Sequence, residues 1–141
     1  MKKYSWFDPS TFHPARGEKG YTLLLLSHIP YSVPLALALS RGLMVLASVF
    51  ALQVACSVLY HASSRTTVLR VMDYVSAIIL AMVALMHIYA GRGAPDFAIK
   101  MVALGALGIC TLRFFFWQKS YAYEHSLWHV CIAFMMSVVI I

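Results

Sequence analysis

His125 and His129 are spaced i, i+4, so on a helix both imidazoles project from one face, close enough to bind a single ion. Ser57 and His61 repeat that spacing at the end of an earlier hydrophobic stretch, and Asp73 opens the next one. Three protein ligands with a fourth position left open are the usual arrangement of a catalytic zinc site. His61, His125 and His129 are therefore the candidate ligands of a Zn2+ ion. Such an ion lowers the pKa of its water toward neutrality, giving a nucleophile for an ester or amide carbonyl. Asp73 is the candidate general base or water-orienting group, and Ser57 is a candidate to polarise the carbonyl or hydrogen-bond the water. Each residue alone has a blander role. Histidines at helix ends meet headgroups, serines bond back to their own helix, and aspartates cap helix N-termini. The conjunction of all five argues for a site.

The elements that must position them are membrane helices. Of the 141 residues, 62% are hydrophobic and 11% are charged, against about a quarter charged in soluble domains. Roughly 20 apolar residues cross the hydrocarbon, which divides the chain into five spans: Tyr21–Leu39, Leu43–His61, Val71–Ala90, Ala98–Trp117 and Tyr123–Ile141. The expected fold is an all-α, polytopic transmembrane helical bundle over residues 21–141, preceded by a polar N-terminal arm over 1–20 whose Trp6, Phe7 and Phe12 suit the headgroup region. The first apolar run reads as a retained span, because no small-residue cleavage site accompanies it. Pro30 and Pro34, one turn apart, predict a kink or break there. The net charge of +6 is accounted for by Lys and Arg at helix ends, so no nucleic-acid partner is implied. Cys56, Cys110 and Cys131 lack metal-type spacing and read as buried thiols.

Topology tests the site. Span two ends on the membrane face where span three begins, and spans three and four cross and return, so His61, Asp73, His125 and His129 share one face. That face also holds Arg65 and Arg70, weak candidates for a phosphate-bearing substrate. Seven Lys and Arg on it, against three opposite, favour a cytoplasmic orientation. Elsewhere, His28 lies in the kinked span with no partner evident from sequence. His87 lies at the far end of span three, as a polar interhelical contact, and Glu124 reads as an interfacial acid.

The pattern Ser–x3–His, then Asp, then His–x3–His resembles that of the CREST superfamily, which joins alkaline ceramidases, progestin and adipoQ receptors and GPI-lipid-remodelling hydrolases. The segments Leu112–Phe116 and Tyr121–Ser126, with Tyr60–His61, resemble its transmembrane protein 8 and myomaker branch. The resemblance covers most of residues 22–141. It implies a seven-span fold, from which a helical pair is missing here between Ala90 and Ala98, and a site facing the extracellular or luminal side. It also implies zinc-dependent hydrolysis of a membrane lipid ester or amide, in its most pointed version phospholipase A2-like action on GPI lipids. The alternative it implies is a non-catalytic membrane protein of the myomaker type, with a structural zinc.

Overall fold

The computed structural model describes residues 20–63, 67–117 and 121–141, without the side chains of 114–117 and 121. The N-terminal arm up to residue 19, Arg65 and Lys119 lie outside the described residues. Among the described residues there is no strand. The elements are α1 (Tyr21–Leu26), a 3-10 turn (Ile29–Tyr31), α2 (Ser32–Ser40), α3 (Met44–Ala62), α4 (Thr67–Ala90), α5 (Phe97–Trp117) and α6 (Tyr121–Ile140).

The first span breaks where its prolines require it. Pro30 has no N–H to offer the Leu26 carbonyl, and Pro34 has none for Pro30, so the helical ladder loses two rungs within one turn. The chain answers by ending α1 at Leu26, tightening through the 3-10 turn, and resuming as α2. α2 then stops in a reversal centred on Gly42, whose φ of 68° places it in the left-handed region that glycine adopts without strain. The Leu43 N–H donates to the Ala38 carbonyl and the Gly42 N–H to the Leu39 carbonyl, the paired bonds that satisfy a helix C-terminus. The expected short antiparallel link is therefore present.

Four stretches among the described residues are long and apolar enough to cross a membrane: Tyr21–Ser40 taken as one broken span, Met44–Ala62, Thr67–Ala90 and Ala122–Ile140. With the 21-residue α5 they make an all-α bundle of about five spans, the architecture expected of a multi-pass membrane protein. α4 begins at Thr67, earlier than the Val71 start expected, so the helix runs one turn beyond the apolar stretch and includes Arg70. Asp73 consequently lies nearly two turns inside α4 and does not open the helix. It is no N-cap.

α6 is the central helix, touching α1, α2, α4 and α5, while α3 packs along α4. The core runs through Ala38, Ala47, Phe50, Leu80, Ala84, Ile88, Ala133, Met136 and Val139. Alanines at four of these positions allow the backbones close approach, as in membrane helix pairs generally. Gly20 shows the same economy, since a Cβ there would lie 2.5 Å from the Ala122 Cβ. The outward face is also apolar: Val45, Met86 and Val102 are 71%, 71% and 72% exposed, which suits hydrocarbon and not water. Across the bundle the Trp128 Nε1–H donates to Thr111 Oγ1 at 3.2 Å, and Arg113 pairs with Glu124 at 3.6 Å, tying α5 to α6. Cys56, Cys110 and Cys131 are free thiols; Cys56 is buried as expected, whereas Cys110 and Cys131 are only partly buried.

Candidate metal centre

The α3 C-terminus, the second turn of α4 and the first turns of α6 meet at one end of the bundle, as the parity of the spans requires. His61, Ser57, Asp73, His125 and His129 are all buried there, with His61 0% and His129 1% exposed. His61 Nε2 and His125 Nε2 are 3.1 Å apart. Two nitrogens bound to one zinc at about 2.0–2.1 Å in tetrahedral geometry stand roughly 3.3 Å apart, so this pair fits a shared ion. The His125 and His129 rings are 4.5 Å apart between centroids, and those of His61 and His129 5.3 Å.

The structure alters the expected triad: the three histidines whose ligand nitrogens come together as a group are His28, His61 and His129, and His125 is not among them although it approaches His61. His28, expected to be isolated, comes from the break after α1 and joins His61 and His129. One ligand nitrogen from each of these three lies within 4.8 Å of the others, so this buried triad can hold a metal ion. The separation of His28 and His129 between ring centroids is 4.1 Å. Sequence reasoning passed over His28 because its nearest partners lie on other spans. Its one signal was being an ionisable residue inside a membrane helix, which is a functional hypothesis by default.

Hydrogen bonds fix how the rings present themselves. Ser27 donates its single hydroxyl proton to the Leu24 carbonyl at 2.6 Å, so at its 2.7 Å contact with His129 Nδ1 the serine oxygen must accept. The proton of neutral His129 is therefore on Nδ1, and Nε2 carries the lone pair. A ligating histidine is usually held this way, with its other N–H donated to a fixed oxygen. A metal centre fits these residues on that chemistry.

Asp73 is held from α3. Gln53 Nε2–H donates to Asp73 Oδ1 at 3.4 Å, and Ser57 lies near the same carboxylate. Ser76 sits within 3.4 Å of Gln53 Oε1 and donates to the Asp73 carbonyl at 3.0 Å. Gln53 is a second residue that sequence reasoning missed, although a glutamine one turn before Ser57 within an apolar span is itself a polar signal. Ser57 also contacts His28 Nε2 at 3.0 Å, which ties α3 to the break after α1.

A cavity of about 850 Å³ extends from this end between α3, α4, α5 and α6. Asp73, Gln53, Arg70 and His125 line its polar end, and Leu80, Leu104, Leu107 and Met136 line its apolar body. Ile78, Met82 and Leu85 both line it and are exposed, so it is open to the side of the bundle. Of the candidate substrate contacts, Arg70 is therefore at the cavity. His87 lies at the opposite end of α4, near Asp96 and Lys100, away from the cluster. No protein family, curated protein or solved structure matches this chain.

Proposed function

We propose that this chain is an integral membrane, zinc-dependent lipid hydrolase that cleaves an acyl ester or amide within the bilayer. The observation that carries the reading is the adjacency of two things at one end of the bundle. A buried histidine cluster lies at the same end of the bundle as Asp73, and Asp73 and His125 both line an apolar, side-opening cavity. His61, His125 and His129 would hold the ion. When bound, it supplies Lewis acidity and a nucleophile drawn from water at neutral pH.

The chain's own groups do the remaining work. Asp73, held by Gln53, is placed to hold a proton at Oδ1 or Oδ2 beside the cavity. The apolar body takes the acyl chain and excludes water from it. Arg70 at the polar end suits a phosphate-bearing headgroup, which is why a phospholipid, including the phospholipase A2-like action on a GPI lipid that the sequence resemblance implies, is the substrate class of choice.

A second reading has its own support. His61 and His129 are fully buried and do not line the cavity, as ligands of a structural ion would be. A non-catalytic membrane protein of the myomaker type, with structural zinc, follows from that. Elemental analysis of detergent-purified protein, followed by phospholipid hydrolysis in proteoliposomes, separates the readings. About one zinc per chain with turnover supports the hydrolase, zinc without turnover supports the structural role, and a folded protein without zinc removes both.

A further inference from the structure

His28 stands outside the Ser–x3–His, Asp, His–x3–His pattern, yet it lies within the histidine cluster. We propose that His28 is a fourth nitrogen ligand of the same ion, so that the broken first span contributes a donor the pattern lacks; this rests on the metal reading given above.

The first support is its protonation geometry. His28 Nδ1 lies 3.1 Å from the Leu24 carbonyl and 3.3 Å from the Leu25 carbonyl, and both of these groups can only accept. The ring proton is therefore on Nδ1, which leaves the lone pair of neutral His28 on Nε2. His129 is set in the same tautomer by Ser27, and Ser27 is itself anchored on the Leu24 carbonyl. One backbone oxygen thus orients two imidazoles, one directly and one through a hydroxyl.

That oxygen is available because of the helix break. In a regular helix the His28 N–H would occupy the Leu24 carbonyl. Here it donates to Leu25 at 3.2 Å, which leaves Leu24 to accept from side chains. The prolines that interrupt the span therefore also create the anchor for two candidate ligands.

The second support is position. Rings bound to one tetrahedral zinc through a nitrogen stand about 5 Å apart between centroids. His28 is 5.4 Å from His61 and 4.1 Å from His129 by that measure, while His61 is 4.8 Å from His125. The ligand nitrogens of His28, His61 and His129 fall within 4.8 Å of one another, so drawing them to the roughly 3.3 Å of a shared ion needs at most about 1.5 Å of movement.

His28 Nε2 has one competing partner, the Ser57 hydroxyl at 3.0 Å. Four imidazoles make a closed, structural-type set, and three leave the open position that catalysis uses. With His28 on the ion the site is closed. With His28 on Ser57, the contact present here, the set would be open.

The test counts ligands. X-ray absorption on the zinc-loaded, detergent-purified full chain is expected to show four imidazoles for the wild type and three for His28→Ala. The variant's zinc affinity falls by more than the roughly 10–100-fold that an outer-sphere change costs. As a second readout, His28→Cys loaded with Co2+ develops a thiolate-to-cobalt charge-transfer band that wild type and His28→Ser lack, so the test survives if His28→Ala does not fold. Three imidazoles in both wild type and His28→Ala, with no band in His28→Cys, overturn the assignment of His28 and leave the metal reading intact. A folded wild type that binds no zinc overturns the metal reading and the assignment with it.

Discussion

Ser27→Ala is the most informative single change, because it removes one hydroxyl and nothing that touches an ion. Ser27 is 6% exposed and His129 1%, so no water replaces the lost 2.7 Å contact at His129 Nδ1. A buried donor left without an acceptor costs about 1–3 kcal/mol. Loss of the oxygen that fixes a ligating histidine weakens metal binding by roughly 10–100-fold, about 1.4–2.7 kcal/mol. The first figure is read in folding stability and the second in metal affinity, where the loss arises because His129 is no longer held with its proton on Nδ1. The assay is zinc competition against a chromophoric chelator on detergent-purified protein. Ser126→Ala is the control: Ser126 is comparably buried, but among the described residues its hydroxyl bonds the Ala122 carbonyl of its own helix at 2.6 Å and no histidine. Ser126→Ala is expected to change zinc affinity by less than about threefold, roughly 0.65 kcal/mol, because its hydroxyl orients no histidine. Equal zinc affinity in the two variants would refute the tautomer argument for His129.

Further outcomes follow from other parts of the bundle. His125→Ala and His129→Ala each lose bound zinc by elemental analysis, whereas His87→Ala retains it, because His87 lies at the other end of α4. Asp73→Asn keeps zinc and loses phospholipid hydrolysis in proteoliposomes; undiminished turnover would remove Asp73 from the chemistry. Gln53→Leu leaves zinc content unchanged but lowers turnover by about 10-fold, and its pH–rate profile moves as the Asp73 carboxylate loses a donor. Gly20→Leu destabilises the bundle by about 1–3 kcal/mol through overpacking against Ala122 and a strained φ of 95°, read as a lower melting temperature in detergent. Gly108→Ala, where an added Cβ meets nothing within 4 Å, leaves it unchanged.

Much of this architecture was legible in the chain because lipid imposes simple rules. Apolar runs of membrane length located the helices, and Pro30 with Pro34 located the break, since a missing N–H acts the same way wherever it occurs. Span parity alone places His61, Asp73, His125 and His129 on one membrane face. What escaped is what depends on the details of contact. His28 looked isolated because its partners, Ser57 on α3 and His129 on α6, are distant in sequence. Its anchor also exists only after the break shifts one backbone hydrogen bond. Asp73 looked like a helix start because hydropathy marks where the apolar run begins, while the helix itself continues to Thr67. Gln53 was overlooked because one polar residue in a long apolar run leaves the average almost unchanged.

The contact between Ser27 and His129 spans 102 residues of sequence, and the Arg41 side chain meets the Ile141 carbonyl at 2.6 Å across 100. The helix carrying the last two histidines is therefore made long after the one carrying the first. During synthesis, Ser27, His28, Ser57 and Asp73 enter the bilayer before α6 exists to cover them, so the emerging chain must hold a half-built polar cluster against hydrocarbon. Retention at the site of insertion until α6 arrives is the consequence, and truncations that stop before His125 are expected to be cleared by membrane quality control even though most of the spans are present.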